Sequence, residues 1–153
     1  MSLAQETEMT RSEVDEFVSN RETGVLTLAQ NDEPYAIPIS YGYNDSSGTF
    51  YMRLVSTPES EKRAYLGSSP DVRVVIYDGN DEKTEYRSVV AKGALEELNP
   101  ADLSADDIVQ YGQAERPLFE IWGADRDELD IRLYSFEPDV IEGRRIELDR
   151  EPR

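Results

Sequence analysis

The chain has 153 residues, 33 of them Asp or Glu against 16 Lys or Arg, and a formal net charge of −17 at neutral pH. It contains no cysteine and no histidine, which excludes disulfides, thiolate metal centres, cysteine nucleophiles and any hydrolase built on a Ser-His or Cys-His pair. The acid excess disfavours nucleic acids and anionic membranes as partners, and no apolar run approaches the roughly 18 residues of a membrane span.

A chain of this length reads as one domain, 1–153, able to bury roughly 70% of its unfolded surface. Residues 1–9 read as a loose leader. The opening MSLAQETEMT lacks the basic start and apolar core of a signal peptide, so a cytoplasmic protein is expected. Thr10 followed by Glu13 forms a capping box, and Val14, Phe17 and Val18 make an apolar stripe, predicting a helix that ends near Asn20. Gly24 to Gln30 reads as a strand, Asn31 to Pro34 as a turn, and Tyr35 to Tyr43 as the return strand. After the turn Asn44 to Gly48, Thr49 to Val55 forms a third strand. The two consecutive hairpins predict a meander.

Thr57-Pro58 starts a predicted helix, with Pro at its first position and Gly67 just past its end. Val72 to Tyr77 is rich in β-branched residues and reads as a strand. Asp78 to Asp81 turns the chain, and Thr84 to Leu98 is a long strand with a bend expected near Gly93. Asn99-Pro100 breaks it. Ser104 with Asp107 marks a further short helix through Tyr111, and Leu118 to Trp122 is a short apolar segment. Asp130 to Phe136 is the last strand, with Ile131, Leu133 and Ser135 on one face. Beyond Pro138 a fresh extended piece begins at Asp139 to Ile141. Six strands with sparse helices predict a mainly β fold, an antiparallel barrel rather than a parallel sheet, because the hairpins leave no room for crossover helices.

No Gly-rich phosphate loop and no GxGxxG is present, so a bound phosphate would depend on cations and hydroxyls. Lysine occurs only at positions 62, 83 and 92. From Arg53 to Lys92, seven cations (Arg53, Lys62, Arg63, Arg73, Lys83, Arg87, Lys92) balance seven acids (Glu59, Glu61, Asp71, Asp78, Asp81, Glu82, Glu85), a neutral island in an acidic chain. An anionic ligand is tolerated best there. Lys83 and Lys92 read as solvated cations paired with neighbouring acids. Tyr35, Tyr41, Tyr43 and Tyr51 read as packing or hydrogen-bonding residues.

The segments GVLTL (24–28), PYAIPISYGY (34–43), FYMR (50–53), EKRAYL (61–66), PDVRV (70–74) and YRSVVAKG (86–93), in this order and spacing, resemble the pyridoxamine 5′-phosphate oxidase-like family. The resemblance covers roughly residues 12 to 98, with an echo at Leu133 to Arg144. It implies a six-stranded antiparallel split β-barrel of the FMN-binding type, a homodimer with FMN at the interface, and an oxidoreductase acting on a small molecule. Lys62 matches the position that holds the flavin phosphate. Pro38, Ile39, Ser40 and Tyr41 match the strand along the isoalloxazine ring. Arg53 to Ser56, with Thr57, match the strand end near the phosphate and ribityl chain, and Ser88 matches a serine near the cofactor.

Many relatives carry a histidine where Arg53 stands, so chemistry through that histidine is absent here, and no catalytic residue is assigned. Trp122 reads either as a cover for the flavin or as a core or interface residue. Two other readings stay open: a reductase using a deazaflavin, and a non-catalytic flavin-binding or interaction module. The acidic bias, with its scarcity of lysine, is similar to that of haloarchaeal proteins, where concentrated salt screens self-repulsion.

Overall fold

The computed structural model describes residues 4–56, 65–66, 71–79, 84–105, 108 and 130–148. In chain order its elements are β1 (Ala4–Glu8), α1 (Arg11–Ser19), β2 (Thr23–Gln30), β3 (Glu33–Ser40), β4 (Gly42–Asn44), β5 (Thr49–Ser56), β6 (Asp71–Gly79), β7 (Glu85–Leu98), a 3-10 turn (Pro100–Asp102), β8 (Asp130–Phe136) and β9 (Val140–Leu148). All pairings are antiparallel, in the order β3-β2-β6-β7-β8-β5-β4, and β9 pairs with both β7 and β1. The fold is the mainly β split barrel expected, but with nine strands rather than six.

Three differences make up that count. The supposed leader is β1, paired with β9 from Ala4↔Leu148 to Glu8↔Arg144. The piece that begins at Val140 is a full strand of nine residues. The return strand from Tyr35 to Tyr43 is broken at Tyr41: β3 pairs with β2, whereas β4 pairs with β5. The two hairpins therefore belong to different sheets and form no meander. Tyr41 fixes the break. Its amide donates to the Glu22 carbonyl (3.0 Å), and its buried hydroxyl donates to the Val18 carbonyl (2.6 Å) near the end of α1.

The first hairpin closes through two residues, not four. Gln30 pairs with Glu33, and Asn31 and Asp32 take φ of 51° and 65°. This is the left-handed region that a tight hairpin needs and that Asn and Asp tolerate best after glycine. The helix follows the sequence closely. The Thr10 hydroxyl accepts from the Glu13 amide (3.2 Å), and the Thr10 amide donates to the Glu13 carboxylate (3.1 Å). Val14, Phe17 and Val18 are buried against the sheet.

The core is filled by alternate strand residues, among them Leu26, Leu28, Val74, Ile76, Val89 and Ala91 in one half. Phe50 centres the other half, with ring centroids 4.8 Å from Tyr43, 5.3 Å from Tyr41 and 5.7 Å from Phe136. Such pairs contribute about 0.5–1.5 kcal/mol each beyond area burial.

β7 joins the halves. One edge pairs with β6 along most of its length. The other pairs with β9 from Glu85 to Lys92 and with β8 from Leu95 to Leu98. The change of partner falls at Gly93, where the sequence predicts a bend. A Cβ at this position would stand 3.0 Å from the Glu137 carbonyl oxygen and 3.1 Å from the Asp139 nitrogen. The missing side chain lets the β8–β9 link lie against β7, and the Asp139 amide donates to the Lys92 carbonyl (2.8 Å).

Gly143 plays the same part under α1. A Cβ there would meet Val14 Cγ2 at 2.8 Å and Met9 Sδ at 2.9 Å. Gly143→Val is expected to destabilise the protein by about 1–3 kcal/mol through overpacking. Chemical denaturation read by far-UV circular dichroism checks this, and an unchanged midpoint would contradict the close packing of α1 on β9.

Candidate functional site

The sheet order is open at both ends. β3 has β2 on one edge and, among the described residues, no strand on the other. β4 is three residues long and pairs with β5 only at Thr49 to Tyr51. The rest of that edge of β5, from Met52 to Ser56, has no strand partner among the described residues, although β3 and β5 approach each other. Two strand edges therefore face one another across a split, with backbone N–H and C=O groups left to be satisfied. Tyr65 packs on the β3 lip. Ser56 ends β5, and nine residues later the Tyr65 ring stacks on Tyr35 of β3, with centroids 5.0 Å apart and planes at 14°.

The split brings together part of the nominated set. Pro38, Ile39 and Ser40 form the last part of β3, paired with Val25, Gly24 and Thr23 on its inner edge. Pro38 is exposed, Ile39 buried and Ser40 half-buried. Arg53 and Ser56 lie on β5, opposite Leu133 and Asp130. Arg53 alternates with the buried Met52 and Leu54, so it stands on the other face and is half-buried. Thr57 and Lys62, with the helix expected from Thr57-Pro58, lie outside the described residues. Tyr41 sits at the mouth of the split, but its ring is in the core and its hydroxyl is bonded to α1. Ser88 is on β7, three strands from β3, half-buried and paired with Tyr77 and Arg144. Within one chain it does not join the residues of the split. Lys83 and Trp122 are not among the described residues; of the helix predicted from Ser104 through Tyr111 only Ser104, Ala105 and Ile108 are, and the Ile108 amide donates to the Ser104 carbonyl (3.1 Å).

Outside the barrel, cross-strand partners share a face. Pro38, Val25, Val75 and Val90 make an apolar row across β3, β2, β6 and β7. Tyr77 is 73% exposed and Tyr86 39% exposed on the same face. A cavity of about 460 Å³ opens beside this row, lined by Thr27, Arg73 and Lys92 among others. It contains none of the nominated residues. No periodic signal points to it, because it exists only through the pairing register.

Among the described residues no three His, Cys, Asp or Glu side chains cluster to hold a metal, and no helix is long and apolar enough to cross a membrane.

The family model described as pyridoxamine 5′-phosphate oxidase matches residues 10–145. The chain belongs to this family. Solved structures share the fold at low identity. A provisionally assigned pyridoxamine 5′-phosphate oxidase from Corynebacterium glutamicum is 18% identical, with a TM-score of 0.67, 95% of this chain covered and 96% of the other. An FAD-binding protein from Mesorhizobium loti is also 18% identical, with a TM-score of 0.65 and coverage of 95% and 98%. The FAD binding protein from Mycobacterium smegmatis is 17% identical, with a TM-score of 0.62 and coverage of 92% and 98%. Among curated proteins none matches the chain.

In this member of the pyridoxamine 5′-phosphate oxidase family, two buried tyrosines anchor the mouth of the split to α1. The Tyr43 hydroxyl donates to Asp15 Oδ1 (2.7 Å), and Arg11 Nε donates to the same oxygen (3.1 Å). Both phenols are shifted upward. Burial is the main cause for each, and the Asp15 carboxylate adds to it for Tyr43. A phenol harder to ionise in the folded state stabilises the fold fully below the unfolded pKa of about 10. Above that pH the unfolded chain releases the proton while the folded one keeps it, so stability falls as pH rises. The melting temperature is expected to drop above pH of about 10. Tyr43→Phe should flatten that drop, and an identical alkaline slope in the variant would contradict the assignment.

Proposed function

We propose that the protein binds FMN along the split between β3 and β5 and works as a flavin-dependent oxidoreductase on a small molecule. The observation that supports this reading is the pair of strand edges, on β3 and β5, that have no strand partner among the described residues. The rim of an isoalloxazine ring offers both donors and acceptors, which suits the backbone groups of Pro38 to Ser40. Arg53, on the face of β5 away from the core, and Lys62 supply positive charge for a phosphate, and Ser56 and Thr57 can add hydroxyl donors. Similar proteins described as FAD-binding support a flavin of this general kind.

When bound, the flavin supplies the two-electron redox chemistry, and the chain's part is to hold and orient it. Arg53 brings permanent positive charge where a histidine would titrate, so proton movement at this position is not part of the reading.

A phosphate left unpaired in a partly buried cleft is costly, and a charge-assisted bond contributes roughly 1.5–3 kcal/mol. Lys62→Ala should therefore weaken FMN binding by about 10- to 100-fold, while Lys83→Ala changes it little. Fluorescence titration of the apo-protein measures both, with FAD and a deazaflavin as parallel ligands. Equal affinity in wild type and Lys62→Ala removes Lys62 from the site. Absence of FMN binding, or tighter binding of the deazaflavin, overturns the FMN reading.

The same reading includes a homodimer. The apolar row Pro38-Val25-Val75-Val90, with Tyr77 and Tyr86 beside it, is a surface that a second copy can cover. Docked there, the second copy would bring its own Ser88 face to the interface. Two acidic chains repel, so the association is favoured by concentrated salt, as for a protein of a saline cytoplasm. Light scattering in molar potassium chloride should give twice the 17.4 kDa chain mass. Val75→Asp should give the monomer, and a monomeric wild type would count against the interface.

A further inference from the structure

α1 touches both half-sheets, and it does so with two kinds of contact. Towards β6, β7 and β9 the ties are ionic. Arg21, just past the end of the helix, pairs with Asp78, and Glu13 pairs with Arg145 (2.9 Å). Phe17 meets two guanidinium groups, those of Arg21 and Arg87, at 5.3 and 5.4 Å from its ring centroid. Asp78, Arg87, Arg145 and Thr7 are successive cross-strand partners, so the helix meets one charged row. Solvent reaches these ties: Arg21 is 40% exposed, Asp78 38%, Arg145 31% and Glu13 37%. They are also incompletely satisfied. Among the described residues, the buried Nε of Arg21 and that of Arg145 find no hydrogen-bond partner.

Towards the mouth of the split the ties are buried phenols. The Tyr41 hydroxyl donates to the Val18 carbonyl, and the Tyr43 hydroxyl to Asp15. Arg11 lies against the β4–β5 turn, where a Cβ on Gly48 would stand 2.5 Å from its Nη2. Arg21 and Glu22 join the two sides. The Arg21 amide donates to the same Val18 carbonyl (3.2 Å), and the Glu22 carbonyl accepts from the Tyr41 amide (3.0 Å). The ion pair of Arg21 therefore helps to place both acceptors of Tyr41. Salt acts differently on the two sides. The screening length falls from about 10 Å at about 0.1 M salt to about 3 Å at about 1 M, the length of a contact pair. Exposed ion pairs weaken over that range, whereas a buried phenol–carbonyl bond does not. The net charge of −17 responds in the opposite sense, since screening its self-repulsion strengthens the fold as a whole.

We propose that α1 is a salt-sensitive strut that regulates ligand exchange at the split. At low ionic strength the ion pairs seat the helix on β6, β7 and β9. Its C-terminal end then holds Tyr41, and with it the break between β3 and β4. Concentrated salt loosens that seat. The Tyr41 anchor opens more often, and the edges of β3 and β5 part more readily, while the core strands become better protected. A ligand in the split then enters and leaves faster. The regulation of ligand exchange rests on the split being the flavin site, but the motion of the mouth does not.

Amide-resolved hydrogen exchange on the full, ligand-free chain tests the strut. Between about 0.1 and about 1 M potassium chloride the Tyr41 amide should exchange about threefold faster. Val74 and Val89, in the middle of β6 and β7, should exchange more slowly over the same range. Glu13→Gln with Arg21→Gln should quicken Tyr41 exchange by about threefold at low salt and remove its rise with salt. Glutamine at position 13 keeps the capping box, so the helix itself is retained. Glu13→Gln alone should give a smaller change of the same sign, which serves if the double variant does not fold. Arg132→Gln, which removes an ion pair between β7 and β8, should leave Tyr41 as in wild type. A Tyr41 amide that slows with salt as the core does overturns the strut, and so does an unaltered salt response in the variants. Stopped-flow fluorescence then follows FMN release. Release from wild type should quicken by about threefold over the same salt range, and release from the double variant should not respond to salt. Release that ignores salt while the Tyr41 amide responds overturns the regulation and leaves the strut. No FMN binding beside a responsive Tyr41 amide removes the flavin reading, and with it the regulation, but not the strut.

Discussion

The architecture depends on one strand having two partners along the same edge. β7 can be flanked first by β9 and then by β8 only if the connection between them passes directly over it. The atoms of Glu137 and Asp139 occupy the space a Cβ at position 93 would fill. Because the edge is shared, β8 is carried away from β9 into the second half, and β5 and β4 follow it. The barrel is then two half-sheets joined along β7 at one side and left unjoined between β3 and β5 at the other. The split is the direct consequence of the shared edge.

An unjoined barrel has unsatisfied backbone groups, and the chain limits them with side chains rather than strands. The Tyr41 hydroxyl and amide tie the β3–β4 break to α1 and to the segment before β2. Tyr43, Asp15 and Arg11 repeat the tie one turn earlier in the helix. Tyr65 stacks on Tyr35 at the β3 lip. These contacts hold the mouth in shape and leave the facing edges of β3 and β5 open to a planar, polar-rimmed ligand.

Electrostatics divides the surface into two kinds of region. Over most of the described surface, arginines sit within reach of carboxylates, several of them exposed, where each pair contributes little to stability but leaves no strong local field. Arg73 and Lys92 instead stand side by side without an ion pair among the described residues, and Asp71 and Asp139 line the same cavity, so there the charges balance without direct pairing.

The sequence alone determined the local elements. The capping box at Thr10 and Glu13, the apolar stripe of α1, the strands from Gly24 to Gln30 and from Asp130 to Phe136, and the bend at Gly93 were all readable, because hydrogen bonds, periodicity and glycine act over a few residues. The motifs in series also determined the family. The tertiary structure decided the pairing. Tyr35 to Tyr43 has the pattern of one strand, and nothing local says that Tyr41 bonds to a helix more than twenty residues earlier and splits it. β1 looked like a leader because its stabilisation comes from β9, at the opposite end of the chain. Lys92 looked like one more cation paired with a neighbouring acid, since only cross-strand register sets it beside Arg73. Alternation along a strand fixes which face a residue takes, but the neighbour on that face is chosen by strand order and register, and these are properties of the whole barrel.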